Sequence, residues 1–217
     1  MIKSFFVLIA LFLSNCSNSN SKYEYLEKDD SFRKKIKSGD FVKLSYGFTY
    51  FEKNNLNNDE IAVFIHGFSV PSYIWDETYY ESVERGLGVI RLDLYGRGNS
   101  SNPDTIYNDQ LYANQVIELL DYLNIDKKVS LVGLSNGGRV VSTIAYLYPE
   151  RVKRLVYVAP GGFHDKKTAP DSRPVLQSDV DTFIEKNYST IAKGQMSDFK
   201  YPERFKGWDE RYERLLK

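Results

Sequence analysis

Val129-Ser130-Leu131-Val132-Gly133-Leu134-Ser135-Asn136-Gly137-Gly138 passes from an apolar run through the pattern G-x-S-x-G into a helical period. Val140, Val141, Ile144, Ala145 and Tyr148 continue that period on one face until Pro149 stops it. A strand that turns at once into a helix needs a sharp corner. The small residues around Ser135 permit a strained one that lifts the hydroxyl above the sheet. The helix N-terminus beneath it brings amide donors and a dipole suited to a developing oxyanion. Ser135 is therefore the candidate nucleophile.

On either side of this stretch lie other runs of the same kind. Ile61 to Ile65 and Leu155 to Val158 are apolar, and Val89-Ile90-Arg91-Leu92 is a weaker fourth. Strands so uniformly apolar are expected where helices cover both faces of a parallel sheet. Ala113, Val116, Ile117, Leu120 and Leu123 form one face of a helix between two of them. Phe41 to Tyr46 and Phe48 to Phe51 surround Gly47 as a hairpin-like pair, and Asn54 to Asp59 reads as a polar turn. Strand and helix alternate, so the fold class is α/β with a mostly parallel sheet flanked by helices. Asp171 to Lys217 differs: it has helical stripes, Val180/Ile184/Tyr188/Ile191 and Phe205/Trp208/Tyr212/Leu215, and no apolar strand run.

Two further motifs accompany the first. His66-Gly67-Phe68 follows one strand, and Asp93-Leu94-Tyr95-Gly96-Arg97-Gly98-Asn99-Ser100 follows the weaker one. With Gly133 to Gly137, and with Pro149-Glu150-Arg151-Val152 leading into Leu155 to Pro160, they resemble the α/β-hydrolase family over about residues 41–160. The resemblance implies a serine hydrolase of esterase or lipase type, with Ser135 as nucleophile and the amides of Phe68 and Asn136 as the oxyanion hole. It makes His66 a structural brace, gives Gly67, Gly133 and Gly137 to the motif's tight turns, and has Asp93 and Arg97 fix the loop after the fourth strand. A serine at 135, where some members carry a carboxylate, points to an ester or related acyl substrate, small molecule or lipid.

That family places a triad acid after the seventh strand and a histidine after the eighth. Six strands are recognisable here, so the expectation is a core over residues 39–169 and a partial helical cap over 170–217. The last two strands, and with them the usual acid and base, are expected to be missing. His164 and Asp165 are the weaker alternatives as triad partners. Adjacent residues of an extended loop face opposite ways, which favours reading them as loop residues. Trp75, Phe183, Tyr188 and Trp208 either line an acyl pocket or pack ordinarily. A non-catalytic ligand-binding lipoprotein or an inactive gene fragment is the alternative function.

The N-terminus has its own pattern. Met1-Ile2-Lys3 is followed by nine apolar residues, Phe5 to Leu13, too short to span a bilayer and suited to the core of a signal peptide. Cys16 follows Leu13-Ser14-Asn15, which resembles a bacterial lipobox with Asn15 in a place usually held by a smaller residue. The expectation is a signal peptide over residues 1–15, a lipidated Cys16 and a polar tether over 16–38. This describes an exported, membrane-anchored envelope lipoprotein, or a secreted protein if Cys16 stays unmodified.

Composition excludes other classes. The 29 basic and 29 acidic residues cancel and form no long basic run, against a nucleic-acid partner. One cysteine and two histidines without ligand spacing do not assemble a metal site. Gly86-x-Gly88 and Gly96-x-Gly98 lack the third glycine of a dinucleotide fingerprint, so no cofactor is expected. Oligomeric state has no signature in the sequence.

Overall fold

The computed structural model describes residues 28–162 and Thr182. Six strands form one sheet in the order β1-β2-β4-β3-β5-β6. They are β1 (Asp40–Leu44), β2 (Gly47–Asn54), β3 (Ile61–Ile65), β4 (Gly88–Leu92), β5 (Val129–Leu134) and β6 (Val152–Val158). β1 and β2 make an antiparallel hairpin, β2 runs antiparallel to β4, and β4, β3, β5 and β6 are mutually parallel. Helices α2 (Asp76–Glu84), α3 (Asp109–Tyr122) and α4 (Asn136–Leu147) fill the crossovers, each returning the chain to the N-terminal end of the next strand as parallel pairing requires.

The continuous apolar runs are explained by burial on both faces. Val63, Ile65, Ile90, Leu92, Val129 and Leu131 pack on one side with the stripes of α3 and α4. Their neighbours Phe64 and Val89 pack on the other with Trp75 and Tyr79. Alternate residues thus enter alternate cores, and no position is left for a polar face. The exception, Arg91 in β4, weakens that run because it carries a buried ion network. Its guanidinium reaches Glu52 of the paired strand at 2.8 Å and Asp76 of α2 at 2.5 Å, and lies over the rings of Tyr79 and Tyr80.

Hairpin register places Leu44 opposite Gly47, so Ser45 and Tyr46 make the turn and Gly47 opens β2. Within the stretch expected as a tether over residues 16–38, the described part begins at Lys28. Asp30–Lys35 is a short helix, α1, capped by the Asp29 carboxylate, which accepts from the Phe32 amide at 2.8 Å. Lys28 is buried, with Nζ donating to the Ser100 carbonyl and to Asn102 Oδ1, and Arg33 lies over the ring of Phe48. The helix has no apolar stripe, and these contacts with the domain hold it in place.

Val156, Tyr157 and Val158 of β6 are exposed, and among the described residues β6 is one of the sheet's two edges, β1 the other. The expectations for residues 1–15, Cys16, the tether up to residue 27, His164, Asp165, Phe183, Tyr188, Trp208 and the cap stripes lie outside the described residues. Among the described residues, no helix is long and apolar enough to cross a membrane.

Candidate active site

Ser135 stands between the last residue of β5 and the first of α4, with φ 50° and ψ −116°. That conformation is costly for any residue with a Cβ, on the order of 1–3 kcal/mol, and persists only when the surroundings impose it. Here they do. The Ser135 amide donates to Val158 O at 3.0 Å, and its carbonyl accepts from Gly138 and Gly161, each at 2.9 Å. A Cβ on Gly133 would fall 2.4 Å from Gly137 O, and one on Gly137 would fall 2.4 Å from Ile65 O. The two motif glycines let the elbow close on itself and against β3.

Serine at a helix N-cap ordinarily turns its hydroxyl onto an amide of the first turn. Ser135 occupies the N-cap of α4 and makes no such bond. Asn136 begins α4, so its N–H belongs to the first turn, where helix amides have no intrahelical acceptor. Hydroxyl and amide donors are both left for something other than the protein's own capping.

The loop after β3 is pressed against this elbow. A Cβ on Gly67 would lie 3.2 Å from the Ser135 Cβ and 3.8 Å from its Oγ. His66 is fully buried beside it; Nε2 accepts the Leu94 amide at 2.9 Å, so Nδ1 carries the proton and donates to the Gly67 carbonyl at 2.7 Å. Burial pushes its pKa down to about 3, and the charge of Arg97 adds to the shift. With both ring nitrogens engaged, His66 is a neutral brace with no lone pair for a base. The bond it makes has a further effect. The Gly67 carbonyl belongs to the same planar peptide as the Phe68 N–H and points the opposite way, so fixing one fixes the other.

Asp93 ties the third loop in. Its carboxylate accepts from the Ser72 and Asn99 amides, each at 2.8 Å, and its carbonyl accepts from Ser100 Oγ at 2.5 Å. A Cβ on Gly98, whose φ is +48°, would lie 2.0 Å from Asp93 Oδ2. Burial raises the Asp93 carboxyl above its ordinary range, against the pull of the two amides and of Lys28. Asp93 is scaffold, joining the loops after β3 and β4.

Of the residues singled out from sequence, Ser135, Gly67, Gly133 and Gly137 come together at the C-terminal ends of β3 and β5. His66 and Phe68 are in the adjoining loop, and Asn136 opens the helix. Trp75 packs into the core against Phe64, with ring centroids 5.2 Å apart, so it is ordinary packing. Sequence reasoning missed Gly161, Lys28 and Gln115. Gln115 is buried in α3, accepting from the Tyr95 amide and donating to Thr49 and the Asp93 carbonyl. A polar residue beside Val116 on an apolar helix face was the signal available for it.

Known proteins are similar to this chain in sequence and in fold. An uncharacterized protein of Mycobacterium tuberculosis is 39% identical over 98 residues, covering 45% of this chain and 28% of that protein. A putative chloroplastic methylesterase of Arabidopsis thaliana is 31% identical over 97 residues, covering 44% and 28%. The chain thus spans just over a quarter of the length of these relatives. An esterase from Exiguobacterium antarcticum superposes with a TM-score of 0.60 at 20% identity, over 82% of this chain and 67% of that one. Residues 63–215, more than half of the chain, match the family model described as the alpha/beta hydrolase fold, and the chain belongs to that family.

Proposed function

We propose that this chain is a serine hydrolase of esterase or lipase type, with Ser135 as nucleophile and the amides of Phe68 and Asn136 as oxyanion donors. The observation that carries it is the N-cap serine that does not cap, held at φ 50° beside the oxyanion loop. Ser135 Oγ would attack the carbonyl carbon of an ester, its proton passing to a base. The alcohol would leave, and water would then release the acid from the acyl-enzyme. The substrate is a small-molecule or lipid ester, in keeping with the esterase and methylesterase names among similar proteins.

Of the two histidines, His66 is excluded as the base by its hydrogen bonds. His164 is the one histidine after Ser135 in this sequence, and our reading gives it no catalytic role. Residues 1–21 further favour export and lipid attachment at Cys16, which would bring the enzyme to a membrane surface.

The test is labelling of the purified chain with a fluorophosphonate probe. Labelling of wild type that vanishes in Ser135→Ala supports the nucleophile. Folded wild type that never labels would overturn it in favour of a binding protein. Loss of labelling in His164→Ala would make that residue the base. Lipid attachment is read separately, from incorporation of labelled fatty acid that Cys16→Ala abolishes.

A further inference from the structure

Arg97 lies between Gly96 and Gly98, both with positive φ, and this double reversal turns its side chain into the protein. It is 3% exposed, yet among the described residues no carboxylate pairs with it. A buried cation without a counter-ion is costly, so its contacts show what it is held for. Nε donates to the Phe68 carbonyl at 3.0 Å, and Nη1 donates to the Tyr95 carbonyl at 3.1 Å and to the Tyr112 hydroxyl. The guanidinium also lies over the Phe68 ring, 4.9 Å from its centroid.

We propose that Arg97 is the positioning residue of the oxyanion loop, holding Phe68 by its carbonyl and its ring so that the Phe68 amide faces the nucleophile. This rests on the reading of Ser135 as nucleophile and extends it to a residue that touches no substrate. His66 fixes the peptide on the N-terminal side of Phe68 through the Gly67 carbonyl, and Arg97 fixes the one on the C-terminal side. Between two anchored peptide planes, residue 68 has no freedom to swing its N–H away. The fork is what the task needs: one guanidinium reaches Phe68 and the Tyr95–Tyr112 pair in different directions, which a lysine ammonium cannot do with the same rigidity. Its charge, in a buried setting, also favours an anion forming nearby.

The test uses the full chain and two readouts. In the first, the rate of Ser135 phosphonylation by a fluorophosphonate is followed against probe concentration. Arg97→Met is expected to lower the limiting rate about tenfold or more, as misplacing an oxyanion donor does, and to leave the half-saturating concentration within about twofold. Arg97→Lys should fall between the two. Tyr112→Phe, which removes one leg of the fork and keeps the ring, should give a smaller loss and serves if Arg97→Met does not fold. The second readout is amide hydrogen exchange, where the 67–70 segment should exchange faster in each variant. Folded variants that label at the wild-type rate, or that change only the half-saturating concentration, would overturn the proposal. Unchanged exchange at 67–70 would overturn it too, even if wild type does not label, a result that by itself counts against the nucleophile alone.

Discussion

Leu94 donates its amide to Nε2 of His66 across 2.9 Å, joining the ends of β4 and β3 through a side chain, beyond the last ladder pair of Ile65 and Leu92. The loops after β3 and β4 therefore keep their spacing only while that imidazole is neutral. A proton on Nε2 would set one N–H against another.

This gives a pH dependence with a definite sign. The folded state holds the His66 pKa near 3, below the value of about 6.5 expected when unfolded, so the unfolded chain binds the extra proton. Stability from this group is complete above about pH 6.5 and is lost as pH falls toward 3, with a slope of up to about 1.4 kcal/mol per pH unit. Urea unfolding of wild type and His66→Gln across this range should show the slope in the first and not the second. The raised Asp93 carboxyl is common to both and cancels in the difference.

Ser135→Gly should abolish probe labelling and stabilise the fold by about 1 kcal/mol, because glycine relieves the positive-φ strain at the elbow. Chemical denaturation of the pair reads the gain, and a loss of stability would mean that the hydroxyl is a structural contact.

Gly137→Ala should be among the most damaging single-methyl changes in the chain. Its new Cβ would meet the Ile65 carbonyl at 2.4 Å, backbone that cannot step aside without moving α4 off β3. A loss of about 2 kcal/mol or more is expected from the overpacking, together with slower labelling of Ser135. Gly86→Ala is the comparison: there a Cβ meets nothing within 4 Å, although its φ of +76° adds strain.

Arg91→Met would leave Glu52 and Asp76 without their shared cation. The expected cost is about 3 kcal/mol, mostly the penalty of two stranded carboxylates. Arg91→Met combined with Glu52→Gln and Asp76→Asn should recover part of it, and a thermal melt of the single and triple variants would show whether it does.

How legible the molecule is in its sequence depends on what holds each part. β3 and β5 announce themselves because they are covered on both faces, and the elbow does so because a strand, a G-x-S-x-G and a helix are contiguous. β4 is fainter because Arg91 interrupts it, and the reason for that interruption is Glu52, some forty residues away in sequence. α1 is silent, since DSFRKK has no stripe and its order depends on partners such as Phe48. Arg97 reads, through the family resemblance, only as fixing its own loop after the fourth strand. Its burial follows from two reversed glycines and from Tyr112 on α3, which no local pattern encodes.

Lys28 has a consequence for geography. Its ammonium is seated against the 100–102 segment, part of the loop after β4 that Asp93 ties to the Ser72 amide. Only twelve residue steps separate it from Cys16, at most about 40 Å of fully extended chain. A lipid on that cysteine, as we propose, would thus act as a short leash on the domain, and under the proposed function it would favour esters at or close to the bilayer surface.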